Sequence, residues 1–215
     1  MEIAPPHCGG AISKHFQQGD LVHILILAEG ATSREIERNR EKFQDELSAL
    51  TIAANQASKM LGVSSLLLHD FPDNRMDSCD LLDIVKVIEQ HQPQIVYTHH
   101  SGDVNIDHRR IHEAVITACR PLPNHSVHTL FFFEVPSSTE WQTSGSDSPF
   151  IPNWFYRYFR GPKFKTQSFR SLSIRDASLP SSAITEAIEY LARWRGATIG
   201  VKAAESFMLG RNIVK

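Results

Sequence analysis

Gln94-Ile-Val-Tyr-Thr-His-His100 runs through Ser101-Gly-Asp-Val-Asn-Ile106 into Asp107-His-Arg-Arg-Ile-His112, and the reading of this stretch decides the fold. Its first part is rich in β-branched and aromatic residues and predicts a strand. Its last part opens a helix that runs from Asp107 to Cys119 and is closed by Pro121. The same alternation repeats on both sides. Thr129-Leu-Phe-Phe-Phe-Glu-Val135 predicts the next strand, while upstream Leu81, Leu82, Val85 and Ile88 fall at helical spacing. Ser65-Leu-Leu-Leu-His-Asp70 predicts another strand, and Leu21-Val-His-Ile-Leu-Ile-Leu-Ala28 is an apolar run typical of a strand buried on both faces. Between these two, Thr32-Ser-Arg-Glu35 has the form of a capping box and predicts a helix from there to Leu61, with Gly62 as its stop. A short helical pattern from Cys8 to Gly19 precedes them, and Ile184–Arg195 predicts a last amphipathic helix. Strands alternating with helices imply an α/β fold with a mostly parallel sheet, and in such sheets ligands sit beyond the C-terminal ends of the strands.

Composition narrows the class. The 215 residues suit one ordinary domain, with 41% hydrophobic and 21% charged residues, a balance able to build a core. Lys+Arg 22 against Asp+Glu 24 leaves a net charge of −2, which argues against a nucleic-acid partner. The apolar runs are far shorter than the ~18 residues a membrane span requires, so no transmembrane segment is expected. Met1-Glu-Ile-Ala-Pro-Pro-His7 has neither the basic nor the apolar region of a signal peptide. Cys8, Cys79 and Cys119 are an odd number at wide spacing, which favours a reducing compartment over a disulfide framework. The expectation is a cytoplasmic domain.

The dense chemical constellation is His99 to His112. It lies where a predicted strand ends and a helix begins, and imidazole and carboxylate groups suit Zn²⁺ and related ions. Asp107 has a second reading as helix N-cap, and Arg109 as a solvated cation. His108 and His112, four apart, share a helical face. His69 and Asp70 read either as a hydrogen-bonded structural pair or as groups reaching the same rim. His15, His23, His91, His125 and His128 are isolated and read as packing or surface residues. No Gly-x-Ser-x-Gly elbow, no Cys-x-x-Cys pair and no long glycine pattern for a phosphate is present.

Several stretches carry a resemblance: Cys8-Gly-Gly-Ala-Ile-Ser-Lys-His15, Gly19-Asp-Leu-Val-His23, Gly30-Ala-Thr-Ser-Arg34 and Phe71-Pro-Asp-Asn-Arg-Met-Asp77. So do Tyr97-Thr-His-His-Ser-Gly-Asp-Val-Asn-Ile-Asp-His-Arg109, Phe133-Glu-Val-Pro-Ser-Ser-Thr-Glu-Trp141, Leu191-Ala-Arg-Trp-Arg-Gly-Ala-Thr198 and Ala204-Glu-Ser-Phe207. Over residues 8–152 and 183–211 the chain resembles the PIG-L/LmbE-like deacetylases, in the family's order. The resemblance implies one domain over 1–215, a Rossmann-like three-layer sandwich, and zinc-dependent removal of an acetyl group from N-acetylglucosamine-type conjugates. It implies His108 as a zinc ligand and Asp107 as the acid that orients a neighbouring catalytic group. His7 would stand for the His of the family's His-Pro-Asp-Asp motif. Asn105 stands where many relatives have His, and His100 and Asp103 join it as expected substrate-pocket residues by proximity. The partner is then a small acetamido sugar; homo-oligomerisation stays open.

The chain also departs from the family. No acid follows His7 before Asp20, so the first metal motif, the general base it carries and most of one strand are expected to be missing. Turnover is accordingly expected to be impaired, and the rival reading is a non-catalytic sugar- or partner-binding protein of the same fold. Residues 155–180 are atypical, with six Arg/Lys and no acid in Phe155–Arg175. A nucleic-acid or membrane surface is one reading of that segment, set low by the neutral overall charge. A compensated frameshift is another, because codons can be chosen so that the adjacent frame reads family-like throughout; the gene's nucleotide sequence decides it.

Overall fold

Pro5 and Pro6 open helix α1 (Pro5–Gln18), where proline's fixed φ and missing N–H are best tolerated. Cys8, Ala11 and Ile12, at helical spacing, are its buried stripe. The structure is a computed structural model and describes residues 5–143, 145, 148–157 and 181–214; the side chains of residues 5–7, 34 and 181–185 are outside the description. Two compact units emerge, Met1–Asn74 with Tyr156–Glu205 and Arg75–Phe155 with Ser206–Lys215.

In the first unit, β1 (His23–Ala28) pairs in parallel with β2 (Ser65–Phe71), in register from His23 opposite Ser65 to Ile26 opposite Leu68. The connection between them corrects the capping-box expectation. Thr32–Arg34 is only a 3₁₀ turn, and the helix α2 begins at Gln44 and runs to Leu61. Thr32 does not cap because its hydroxyl donates to buried Glu29 at 2.6 Å. Arg38 binds the same carboxylate through Nε at 2.7 Å and Nη2 at 2.8 Å, pulling residues 35–40 toward the strand ends instead of into a helix. Burial alone would raise the Glu29 carboxyl, but Arg38, Thr32 and Arg40 outweigh it and hold it below the ordinary range. The far end of α2 stops as expected at Gly62, whose φ of 75° is left-handed, and the Phe16 ring fills the space where a side chain would lie.

The last helix, α5 (Ser181–Ala197), buries Ile188 and Ala192. Gly196 at its end lies so close to Ala203 that a Cβ would stand 2.5 Å from the Ala203 Cα. Glu205 then reaches α1, its two carboxylate oxygens accepting the Gly10 N–H at 2.8 Å and the Ala11 N–H at 2.7 Å.

In the second unit, Asp80 caps α3 (Leu81–Glu89) by accepting the Leu82 N–H at 2.9 Å. β3 (Ile95–His99) and β4 (Thr129–Phe133) are parallel, with His99 opposite Phe133, and α4 (Ile106–Ala118) connects them. β4 then pairs antiparallel with β6 (Ala204–Asn212), and β5 (Trp154–Arg157) lies on the far side of β6. This sheet is therefore mixed, with β4 parallel to β3 and antiparallel to β6, and β6 was not anticipated as a strand. The aromatic core sits on it, with Tyr97, Phe131 and Phe207 rings 5.0 to 6.1 Å apart. Of the atypical segment 155–180, residues 155–157 belong to β5 and residues 158–180 lie outside the described residues. No described helix is long and apolar enough to cross a membrane.

Candidate active site

Because β3 and β4 are parallel and end level with one another, the segments that follow them emerge at the same edge of the sheet. After β3 come His100, Asp103 and Asn105; after β4 comes a tight turn in which Ser138 and Thr139 N–H groups donate to the Val135 carbonyl at 3.0 and 2.8 Å. α4 continues the construction. Its buried stripe is Asp107, His108, Ala114, Val115 and Ala118, so the apolar positions that seat the helix also carry its first-turn Asp and His inward.

Asp103 is the hub. One oxygen, Oδ1, accepts the Asn105 N–H at 2.8 Å and lies 3.1 Å from His108 Nδ1. The other, Oδ2, accepts the Ser138 hydroxyl at 2.9 Å and the Thr139 hydroxyl at 2.6 Å. Burial alone would raise this carboxyl, but the His108 ring, Thr139 and the Asn105 N–H hold it below the ordinary range. Arg109 Nη1 donates to the carbonyls of Asp103 and Val104, both at 2.7 Å, so it clamps the loop and is not merely solvated.

The N-cap of α4 is Asn105, whose side-chain oxygen accepts the Asp107 N–H at 2.8 Å; the capping role read for Asp107 is corrected accordingly. Asp107 instead turns its Oδ1 to the Met76 N–H at 2.9 Å, both residues buried. His99 stacks its ring on that of His108, centroids 4.0 Å apart at 20°. His112 Nδ1 donates to the His99 carbonyl at 2.9 Å, and burial pushes its imidazole below the ordinary range. His100 donates through Nε2 to the Ser148 carbonyl at 2.8 Å, and its buried Nδ1 has no partner among the described residues. Gly102 makes that contact reachable: a Cβ on it would stand 2.1 Å from the Ser148 oxygen.

Asp103, Asn105, Asp107 and His108 thus come together in one network, with His100 on the adjoining loop. His7 lies in α1 of the other unit, and its side chain is outside the description. Asp70, at the end of β2, meets Arg40 Nη1 at 3.1 Å. Sequence reasoning assigned no role to Ser138 and Thr139; the Val-Pro-Ser-Ser-Thr motif was the available signal. Ser138 is no activated nucleophile, because it and Asp103 both meet the same nitrogen, Nδ1 of His108, with Ser138 at 3.2 Å.

The profile of the PIG-L family, described as GlcNAc-PI de-N-acetylase, matches residues 6–119 and so takes in more than half of the chain, including the Asp107–His108 pair. The chain belongs to the PIG-L family. No curated protein matches it. Among solved structures it is similar to GalB, the 4-carboxy-2-hydroxymuconate hydratase of Pseudomonas putida KT2440, at 21% identity, TM-score 0.68, over 99% of this chain and 93% of that one. It is also similar to the N,N'-diacetylchitobiose deacetylase of Pyrococcus horikoshii, at 16% identity and TM-score 0.69, over 97% of this chain and 79% of that one. The zinc-inhibited form of teicoplanin deacetylase Orf2 aligns at 12% identity and TM-score 0.71, over 96% and 93% of the two chains. At these identities the likeness is one of fold, and the fold carries both a hydratase and deacetylases.

A zinc site needs about three protein donors around an open position. Among the described residues no three His, Cys, Asp or Glu side chains converge in that way. Both Asp103 oxygens are taken by protein donors, and Asp107 Oδ1 is taken by Met76. The described residues of this PIG-L chain do not complete a zinc site.

Proposed function

We propose that the chain is a PIG-L-type hydrolase that removes the N-acetyl group of an N-acetylglucosamine-type sugar conjugate, with impaired turnover. The observation that carries this reading is the family match through Asp107 and His108, at the sheet edge where α/β folds bind ligands. In the reaction a water oxygen adds to the amide carbonyl carbon, the C–N bond breaks, the amine takes a proton and acetate leaves. His108 offers a ring nitrogen to that chemistry, and Asp107 is the acid proposed to orient its neighbours. His100 supports the substrate class. In the tautomer that donates through Nε2 to Ser148, Nδ1 is a buried acceptor, suited to an acetamido N–H or a sugar hydroxyl. Asn105 completes the proposed pocket wall, with the enclosed Asp103 behind it. Zinc belongs to the proposal as the family's cofactor, with His108 as the donor that the family resemblance assigns to it.

The scaffold we infer is one domain over 1–215, a Rossmann-like three-layer sandwich; the family match crossing the boundary between the two units supports it. A cytoplasmic location goes with Cys8, Cys79 and Cys119 standing outside any disulfide.

A second reading, a non-catalytic sugar-binding protein, is favoured by the incomplete donor set among the described residues. Acetate release from N-acetylglucosamine conjugates, with and without a chelator, separates the two, alongside zinc stoichiometry of the purified chain. Chelator-sensitive acetate release supports the hydrolase. Saturable sugar binding with no acetate released leaves the binding protein.

A further inference from the structure

Resting on the hydrolase reading, we propose that Asp103 is a positioning residue that fixes the tautomer of His108, placing the ring proton on Nδ1 and presenting Nε2 as the lone-pair nitrogen. The argument is a count of protons. Asp103 is fully enclosed, at 0% exposure, so it acts through the groups that surround it. Its Oδ2 receives two hydroxyl protons, from Ser138 at 2.9 Å and Thr139 at 2.6 Å, and its Oδ1 receives the Asn105 N–H at 2.8 Å. The Ser138 hydroxyl has one proton, and that proton is spent on Asp103. Toward His108 Nδ1, 3.2 Å away, Ser138 therefore presents a lone pair. Asp103 Oδ1 presents another at 3.1 Å. Nδ1 faces two acceptors and carries the hydrogen, so in the neutral ring Nε2 is the nitrogen with the lone pair.

The surroundings keep this geometry fixed. Thr139 Oγ1 accepts the Val135 N–H at 2.9 Å while donating to Asp103, which ties the carboxylate to the turn after β4. Arg109 holds the Asp103 and Val104 carbonyls from the other side. The His99 ring stacked 4.0 Å away holds the imidazole plane. Ser138 and Thr139 thereby gain a role: they orient the carboxylate that orients the ring.

The test is a long-range proton–nitrogen correlation spectrum of the full chain labelled in histidine, with the His108 signals assigned through His108→Gln. The expected result is a protonated Nδ1 and an unprotonated Nε2 in the wild type. In Asp103→Asn the Nε2–H population rises several-fold while circular dichroism stays that of the folded chain, and kcat for acetate release falls about 10–100-fold with KM little changed. Thr139→Val, which removes a donor from Oδ2 and leaves Oδ1 in place, keeps the wild-type tautomer. A predominantly Nε2–H ring in the wild type, or an unchanged ring in folded Asp103→Asn, overturns the proposal. Should Asp103→Asn not fold, the wild-type spectrum decides alone. A wild-type ring with Nδ1–H and no acetate release defeats the hydrolase reading and leaves the assignment of the tautomer standing.

Discussion

Asn105 caps α4 by accepting the backbone N–H of Asp107 at 2.8 Å, and this frees the Asp107 carboxylate to take the Met76 N–H at 2.9 Å. Two polar residues two positions apart thus divide the structural and the chemical duties at the helix start. A cap of this kind contributes about 1 kcal/mol. Asn105→Ala is expected to lower the unfolding free energy by that amount, read as a lower urea midpoint, and Asn105→Ser, which keeps a short acceptor, to recover most of it. An Asn105→Ala chain as stable as wild type would show that the cap is not needed to hold Asp107.

How much of this was legible depends on the range of the contacts. β3, α4 and β4 could be read because β-branched, aromatic and helical-period residues sit in short local patterns, and the His/Asp cluster lies at the junction those patterns define. Ser138 and Thr139 could not be assigned, because their partner Asp103 lies 35 and 36 residues away and the two segments meet only once His99 stands opposite Phe133. β6 escaped for a related reason. Its Glu205 is consumed by α1 amides 195 and 194 residues distant and its Ser206 by Glu134, so the strand shows no alternation of apolar and polar residues. The false helix start at Thr32 has the same origin. A local capping signal lost to Glu29, whose buried charge needed the Thr32 hydroxyl more.

The loop over His100 depends on the absence of a side chain at Gly102. A Cβ there would meet the Ser148 oxygen at 2.1 Å and His100 Nε2 at 2.9 Å. Since the first obstacle is backbone, Gly102→Ala must displace residues near 148 and break the His100–Ser148 bond. The expected cost is about 1–3 kcal/mol, with a lower melting temperature and faster proteolysis near Ser148. Unchanged cleavage there would show that the loop accommodates the methyl group.

Glu29 makes a second buried carboxylate whose partners set its worth. Arg38→Ala removes a bidentate pair and leaves the charge to Thr32 and Arg40, at an expected cost of about 1.5–3 kcal/mol. Because the folded carboxyl titrates below its unfolded value, its contribution is present above the ordinary glutamate range and lost as pH falls through the folded value. The penalty of Arg38→Ala, measured by urea unfolding, is therefore expected to be full at neutral pH and to shrink toward strongly acidic pH. A penalty that stays constant down through that range would mean the arginine acts by packing alone.

His112 gives a dependence in the near-neutral range. Burial is the largest influence on it and lowers its imidazole; the nearby His100 lowers it further, while the His99 carbonyl and Glu113 act in the opposite sense without prevailing. The unfolded chain therefore takes the proton first, at about pH 6.5. Stability from a neutral His112 is complete above that value and declines as pH falls from it toward the lower folded value, where the folded chain too becomes protonated. His112→Phe keeps an aromatic ring against Phe132, now 4.9 Å away, but gives up the bond to the His99 carbonyl. It is expected to be less stable than wild type at pH 8 and to close part of that gap by pH 5.5, as the wild type alone loses the His112 contribution. Parallel urea midpoints for the two chains across this interval would contradict a buried neutral imidazole at this position.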